Sequence, residues 1–204
     1  ERLAEFVPLA KKYGAAILCW PIASDVPRTA PERVAIIKTI INAAKKIGLT
    51  DTDFLLDALV MTVAADEIAA TETMQTLKAY REEFGYPSTM GLSNISYGLP
   101  NRPLMNSIFF AMNLACGLDA PIINPYDKTM QDVLLTSSAL LGYDKNAKEY
   151  SLTEANVETV VATPTSPDTD ILTAIKNAVK NGEKELVADL VTTALNQGYD
   201  SLTI

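Results

Sequence analysis

Short apolar runs alternate with longer amphipathic stretches along residues 1–142. The apolar runs lie at residues 15–20, 54–56, 89–93 and 121–123. Their lengths suit buried strands, and the first run predicts a strand that is buried on both faces. The amphipathic stretches predict helices over residues 2–13, 29–48, 66–84, 103–116 and 126–141. Because a helix separates each pair of strands, the pattern predicts a βα repeat with a parallel sheet.

Two architectures fit this βα repeat. One is an open, doubly wound sheet, and the other is part of a (β/α)8 barrel. A complete barrel takes about 250 residues. Four strands within residues 1–142 would make half of one.

A second region follows this repeat. Residues 143–169 contain Pro164 and Pro167 and predict a linker, with a short helix near residues 154–161. Two amphipathic helices are then predicted, one from Ile171 and one through Leu186, and the second ends at Gly198. A two-helix hairpin cannot bury so wide an apolar stripe alone. We therefore expect it to pack on partner helices or on the first region.

Composition excludes several classes of function. The 204 residues carry 17 Lys+Arg against 25 Asp+Glu, a net charge of −8, so no nucleic-acid partner is expected. The chain contains no histidine and two cysteines, which removes histidine triads and predicts no metal site. No apolar run reaches the roughly 18 residues of a membrane span, and no targeting motif is present, so we expect a cytoplasmic protein without a membrane partner. The chain opens on glutamate within a predicted helix, which suggests a piece of a longer protein.

Short polar residues follow three of the four predicted strands. Asp57, Asn94 and Asn124 take these positions. Asp and Asn are common turn formers, so each could simply shape a strand exit. Ligands of parallel βα sheets bind at the carboxyl ends of the strands, and three such residues on one rim favour a polar pocket.

Residues 91–102 (GLSNISYGLPNR) form the least ordinary segment of the chain. Its glycines and small polar residues permit a flat ligand to approach the backbone. Arg102 precedes Pro103 at a predicted helix start, where its guanidinium could clamp an anionic or planar group. The alternative is a surface arginine at a helix end that the dipole does not favour.

This segment, with Asn106 and residues 117–125 (GLDAPIINP), closely resembles the pterin-binding domain of methyltetrahydrofolate methyltransferases. That family includes the folate module of cobalamin-dependent methionine synthase. Residues 11–16, 27–33 and 57–60 also fit, although Ala58 stands where the family has a proline. The resemblance covers roughly residues 1–142. It implies an α/β fold, the second half of a (β/α)8 TIM-type barrel.

The resemblance also implies a function and a site. The activity would be methyl transfer between N5 of 5-methyltetrahydrofolate and the cobalt of a corrinoid such as cobalamin. Asn94 would be the catalytic residue beside N5, and Asp57 would accept hydrogen bonds from the pterin. The pocket would be completed by Gly91, Ser96, Arg102, Ile122 and Asn124.

Residues 171–204 resemble, less specifically, the start of a helical cap from methyl-corrinoid-binding domains. The implied organisation is a barrel half over 1–142, a linker over 143–169 and a cap segment over 170–204. Since this chain has no histidine for cobalt, the corrinoid is expected on a partner domain or protein. A missing barrel half or a second copy of the chain is expected to complete the barrel, because a half barrel would expose strand edges.

Two alternatives remain open at this point. Dihydropteroate synthase shares the pterin barrel, although this chain lacks a basic phosphate-binding pattern at its last strands. The other alternative is a non-catalytic fragment whose helical hairpin docks a corrinoid protein.

Overall fold

The structure, a computed structural model, describes residues 2–153, 171–181 and 184–201. The chain divides into two compact units, Glu1–Tyr150 and Ser151–Ile204. The first unit contains all the strands of the described residues, and the second contains a helical hairpin.

Helices and strands alternate through the first unit as the sequence pattern predicts. The strands are β1 (Ile17–Cys19), β2 (Phe54–Asp57), β3 (Ser88–Gly91) and β4 (Ala120–Ile122). The helices are α1 (Arg2–Tyr13), α2 (Ala30–Lys46), α3 (Ala69–Glu83), α4 (Arg102–Ala115) and α5 (Lys128–Leu140). Short 3-10 helices lie at Asp51–Asp53, Leu92–Ser96 and Lys145–Ala147.

The four strands form one parallel sheet in the order β1-β2-β3-β4. Each strand pairs with its neighbour in sequence, and the register aligns Asp57 with Thr89 and Gly91 with Ile122. The carboxyl ends of all four strands therefore meet at one rim of the sheet. The predicted α/β fold with a parallel sheet is confirmed.

Within residues 2–153, the helices pack against one face of this sheet. The covered face contributes buried side chains to the core, among them Cys19, Phe54, Leu56 and Met90. On the opposite face, which we call the open face, Leu18 is 52% exposed and Ile122 is 59% exposed. Parallel sheets are normally covered on both faces. A parallel sheet with its helices packed on one face is the arrangement found in half of a (β/α)8 barrel.

The prediction that β1 is buried on both faces is therefore wrong. Alternate residues of a strand point to opposite sides, so Cys19 enters the core while Leu18 lies on the open face. A continuous apolar run shows that both faces of a strand are apolar, but it does not show that other parts of the chain cover both faces.

Several element boundaries also differ from prediction. Strand β3 ends at Gly91 rather than Ser93, because Leu92 turns into the core as the first residue of a 3-10 helix. Helix α3 begins at Ala69 rather than Asp66, and Asp66 instead forms a two-pronged ion pair with Arg28, both contacts at 2.8 Å. Helix α5 begins at Lys128, after the side chain of Asp127 caps it.

The second unit contains the two predicted amphipathic helices, α6 (Ile171–Asn181) and α7 (Lys184–Asn196). Ile175, Ala178 and Ala194 are buried, whereas Val179 and Leu195 remain about half exposed or more. The hairpin thus buries only part of the predicted apolar stripe. The predicted short helix near residues 154–161 lies outside the described residues.

None of the described helices combines the length and the apolar character needed to cross a membrane.

Candidate functional site

Asp57 is the last residue of β2 and lies at the rim of the sheet. Its Oδ1 atom accepts a hydrogen bond from the N–H of Leu59 at 2.8 Å, which makes a tight local turn. Partial burial raises the pKa of the Asp57 carboxyl, and the hydrogen bond from Leu59 opposes this rise. Within the described part of the chain, Oδ2 accepts no hydrogen bond. The carboxylate thus keeps one oxygen for a ligand.

The residue after Asp57 departs from the family pattern, and the structure shows the local consequence. The N–H of Ala58 donates to the carbonyl of Thr89 on β3 at 2.9 Å. Proline has no N–H and could not make this bond. Alanine at position 58 therefore extends the pairing of β2 and β3 by one link at the rim.

Three buried side chains reach the three successive carbonyls of this turn. Tyr80 Oη donates to the carbonyl of Asp57 at 3.2 Å, and Arg33 Nη1 donates to that of Ala58 at 3.2 Å. Thr73 Oγ1 lies 3.2 Å from the carbonyl of Leu59 and shares its proton with the carbonyl of Ala69 at 2.9 Å. We call Arg33, Thr73 and Tyr80 the carbonyl clamp. All three are almost completely buried.

The carbonyl clamp holds a turn that would not form readily by itself. Leu59 has φ +56°, in the left-handed region that non-glycine residues rarely adopt. Such a conformation costs about 1–3 kcal/mol and persists where its surroundings enforce it. The carboxylate of Asp57 is thereby presented on a backbone that is bonded at each of its carbonyls.

Asn94 lies in the 3-10 helix Leu92–Ser96, just beyond the end of β3. Its side chain is exposed, and the amide makes no hydrogen bond to any described residue. A Cβ atom on Gly91 would come within 3.2 Å of Asn94 Nδ2. Glycine at position 91 therefore leaves the space in which this amide stands.

Ser96 and Arg102, which the resemblance places among the residues lining the pocket, are hydrogen-bonded to each other. Arg102 Nε donates to Ser96 Oγ at 3.0 Å, and Ser96 Oγ donates to Asn106 Oδ1 at 2.7 Å. Arg102 Nη2 also donates to the carbonyl of Ser93 at 2.9 Å. Ser96 is fully buried, and Arg102 bonds both its hydroxyl and the carbonyl of Ser93. The two side chains therefore connect the Asn94 segment to the start of α4.

The last strand contributes two further candidates. Ile122, the final residue of β4, lies on the open face in register with Gly91. Asn124, two residues later, is exposed and its Oδ1 accepts a hydrogen bond from the N–H of Tyr126 at 3.0 Å. The turn-forming role that the sequence left open for Asn124 is thus present in the structure.

The rim therefore brings together Asp57, Gly91 and Ile122 through strand register, with Asn94 immediately beyond Gly91. Sequence reasoning missed the carbonyl clamp. One signal was available for Arg33. It stands four and eight residues before Ile37 and Ile41, so a charged residue occupies the core-facing stripe of α2.

The acidic residues and the buried thiol of Cys19 are the remaining groups that could bind a metal ion or react. Among the described residues, no group of three or more acidic, cysteine or histidine side chains could hold a metal ion. Burial raises the pKa of the Cys19 thiol to about 12, which disfavours the reactive thiolate.

A four-stranded parallel βα sheet with a carboxylate and an unbonded amide at its carboxyl-end rim has the architecture of part of an α/β barrel. The model of the pterin-binding enzyme family matches residues 2–124, and the chain belongs to that family.

Several curated proteins are similar to part of this chain. A methylcorrinoid:tetrahydrofolate methyltransferase from Eubacterium limosum is 33% identical over 131 residues, which are 63% of this chain and 48% of that protein. A methionine synthase from Mycobacterium tuberculosis is 29% identical over 164 residues, 74% of this chain and 14% of that protein. The methionine synthase of Mycobacterium leprae is 31% identical over 133 residues, 61% of this chain and 11% of that protein. The chain thus spans about half the length of the first relative and a small part of the two synthases.

Proposed function

We propose that this chain is part of a methyltransferase that moves a methyl group between N5 of 5-methyltetrahydrofolate and the cobalt of a corrinoid. The proposal is supported by membership of the pterin-binding enzyme family and by relatives named as methyltransferases of tetrahydrofolate and as methionine synthases. It is also supported by a rim that offers carboxylate and amide groups to a flat heterocycle.

The observation that carries the proposal is the free amide of Asn94. A tertiary amine is a poor leaving group, so N5 needs a proton or a strong hydrogen bond as the methyl group departs. A neutral amide can follow this change of charge without carrying a proton itself. Asn94 is exposed, makes no side-chain hydrogen bond within the described residues and stands in space that Gly91 leaves open.

Asp57 is proposed to recognise the pterin. A carboxylate accepts two hydrogen bonds side by side, which matches adjacent N–H donors on the edge of a pterin. Oδ1 already accepts from Leu59, yet each carboxylate oxygen has more than one acceptor site, so the edge can still be gripped in a fixed orientation. Ile122 would lie against the ring, because it places an exposed apolar side chain on the same rim.

The other predicted site residues receive more specific proposals. Ser96 would act through Arg102, since its hydroxyl is buried and engaged. Arg102 would approach the ligand only with the part of its guanidinium that Ser93 and Ser96 do not bind. Asn124 would shape the turn after β4 and could offer its remaining amide atoms to the ligand.

The corrinoid is proposed to sit on a partner domain or protein. When bound there, it would supply the cobalt that accepts or donates the methyl group. The residues of this chain do not fit a histidine-ligated corrinoid, because the sequence contains no histidine. The exposed Val179, Leu186 and Leu195 of the second unit support its proposed role as the start of a helical cap over residues 170–204, after a linker over 143–169.

The open face of the sheet is proposed to be covered by further βα units or by a second copy of the chain. Exposed Leu18 and Ile122 support this, since burying such side chains stabilises a protein by about 1.5–3 kcal/mol each. The barrel half over residues 1–142 would then supply the Asp57 and Asn94 side of the pterin site.

Calorimetric titration of the full-length protein with 5-methyltetrahydrofolate tests the proposal. We expect binding that Asp57→Ala and Asn94→Ala weaken strongly. Binding of a corrinoid protein without any binding of the folate would instead support the docking fragment. Formation of dihydropteroate would support the synthase alternative.

A further inference from the structure

We infer that Arg33 is a positioning residue that sets the orientation of the Asp57 carboxylate from behind the sheet rim. The inference rests on the proposed function for its link to folate. Its structural part, control of the Asp57 turn, stands on the geometry of Arg33 alone.

Arg33 is a buried charged residue whose hydrogen bonds go to carbonyl and hydroxyl oxygens. Its side chain is 1% exposed, and burial lowers its pKa, although an arginine keeps its proton in a protein. No carboxylate forms an ion pair with it within residues 2–153. Burying a charge without a direct counter-charge is costly, and the hydrogen bonds of Arg33 offset this cost only while its partners stay in place.

The hydrogen bonds of Arg33 join three segments that meet below the rim. Nη1 donates to the carbonyl of Ala58 at 3.2 Å and to Thr76 Oγ1 of α3 at 3.4 Å. Nε and Nη2 donate to the carbonyls of Pro27 and Arg28, at 3.4 Å and 3.3 Å. The same guanidinium therefore holds the loop after β1, the turn after β2 and helix α3.

The bond to Ala58 connects this network to the proposed ligand site. The carbonyl of Ala58 and the N–H of Leu59 belong to one planar peptide group, so fixing one end fixes the other. That N–H donates to Asp57 Oδ1 at 2.8 Å. Arg33 therefore acts on Asp57 through a single rigid peptide, and the left-handed Leu59 depends on the same bond.

Two changes at position 33 separate the geometry of the side chain from its charge. Arg33→Met removes the donors and the charge, whereas Arg33→Lys keeps the charge but loses the planar fork that reaches three segments. Ile37→Ala is the matched control. It lies one turn further along the same helix, is fully buried, and has no hydrogen bond to the turn.

The first test needs no ligand. Amide hydrogen exchange of Leu59 is measured by NMR on the full-length protein and its variants, under conditions in which each remains folded. We expect exchange at Leu59 to accelerate by about tenfold or more in Arg33→Met, beyond the change at core amides, with an intermediate effect in Arg33→Lys. Ile37→Ala should change Leu59 no more than the rest of the core. If Arg33→Met matches Ile37→Ala at every amide, Arg33 is only a stabilising residue and the inference is overturned.

The second test measures the dissociation constant of 5-methyltetrahydrofolate for the same variants. We expect Arg33→Met to raise it about tenfold or more, because a misplaced hydrogen-bonding group loses its alignment with the ligand. Ile37→Ala should leave it within about twofold. Equal affinity in Arg33→Met and wild type, beside tight wild-type binding, would overturn the link to the ligand. Absence of folate binding in the wild type would refute the proposed function, while the exchange experiment would still decide the role of Arg33 in the turn.

Discussion

Ser96 and Arg102 are joined by a 3.0 Å hydrogen bond from the guanidinium Nε to the buried serine hydroxyl. That hydroxyl in turn donates to Asn106 Oδ1 at 2.7 Å, so one small side chain connects the Asn94 segment to two residues of α4. The relationship explains why a serine and an arginine accompany the asparagine in this segment. They hold the backbone on which the free amide is presented.

Replacing Ser96 with alanine should therefore destabilise the protein and loosen the Asn94 segment. The change leaves Asn106 Oδ1 and Arg102 Nε without this partner, and we expect the free energy of unfolding to fall by about 1–3 kcal/mol. Urea denaturation measures the loss. Ser93→Ala is the control, since the Ser93 side chain is exposed and its change should stay within about 0.5 kcal/mol. Equal stability of the two variants would contradict this role of Ser96.

Adding a methyl group at position 91 should impair methyl transfer while the fold survives. Gly91 has φ −78°, which alanine can adopt, but its Cβ atom would lie 3.2 Å from Asn94 Nδ2 and displace the amide by a few tenths of an ångström. We expect Gly91→Ala to lower the transfer rate about tenfold. The Asn94→Ala background provides the control, because no amide remains there to displace. A further tenfold loss in the double variant would contradict the explanation.

The raised pKa of Asp57 predicts the pH dependence of folate binding. The ionised carboxylate is the form that accepts hydrogen bonds from pterin N–H groups. Binding should therefore weaken as the pH falls through a pKa above the ordinary aspartate value of 3.8. Titrations across the acidic range measure this. Asp57→Asn should bind the folate weakly and without this pH dependence. Wild-type affinity that is equally independent of pH would contradict the proposed role of the Asp57 carboxylate.

The same pKa shift predicts how Asp57→Asn changes stability. A folded pKa above the unfolded value means that the proton favours the folded state, so the stabilisation from protonation is complete below pH 3.8 and is lost as the pH rises through the folded pKa. At neutral pH the wild type thus carries a partly buried charge that asparagine avoids. We expect Asp57→Asn to unfold at higher urea concentration near pH 7 and to match the wild type in strong acid. A lower urea midpoint for Asp57→Asn than for the wild type near pH 7 would contradict this and would show that the ionised carboxylate stabilises the folded state.

Removing the Tyr80 hydroxyl tests the carbonyl clamp independently of Arg33. Tyr80→Phe keeps the buried ring but leaves the Asp57 carbonyl without its side-chain donor, and we expect a loss of about 1 kcal/mol in unfolding free energy. Tyr86→Phe is the control. Its hydroxyl donates to exposed Asp51 at 2.6 Å, where water can replace it, so its effect should be smaller. A larger loss of unfolding free energy in Tyr86→Phe than in Tyr80→Phe would contradict this role of the Tyr80 hydroxyl.

Local patterns predicted the parts of this structure that depend on neighbours in sequence. Apolar runs and helical spacing located the strands and helices, and they placed Asp57 and Asn94 at the carboxyl ends of their strands. These inferences needed only residue order and the geometry of a βα repeat.

The features that the sequence did not predict depend on contacts between distant parts of the chain. The apolar run at β1 did not reveal that Leu18 is half exposed, and because Leu92 is also apolar, the run did not show that β3 ends at Gly91. The engagement of Arg102 with Ser96 and of Arg33 with Ala58 depends on side-chain geometry across 6 and 25 positions. Sequence spacing alone could not distinguish an arginine that binds a ligand from one that binds the backbone.

The most direct test follows a labelled methyl group between 5-methyltetrahydrofolate and a reduced corrinoid in the presence of the full-length protein. We expect transfer by the wild type, a loss of about 100-fold or more in Asn94→Ala because the proposed hydrogen bond to N5 is removed, and near wild-type transfer in Ser93→Ala. Transfer that is equally fast in Asn94→Ala and wild type, or no transfer by a wild-type protein that binds both partners, would contradict the proposed function.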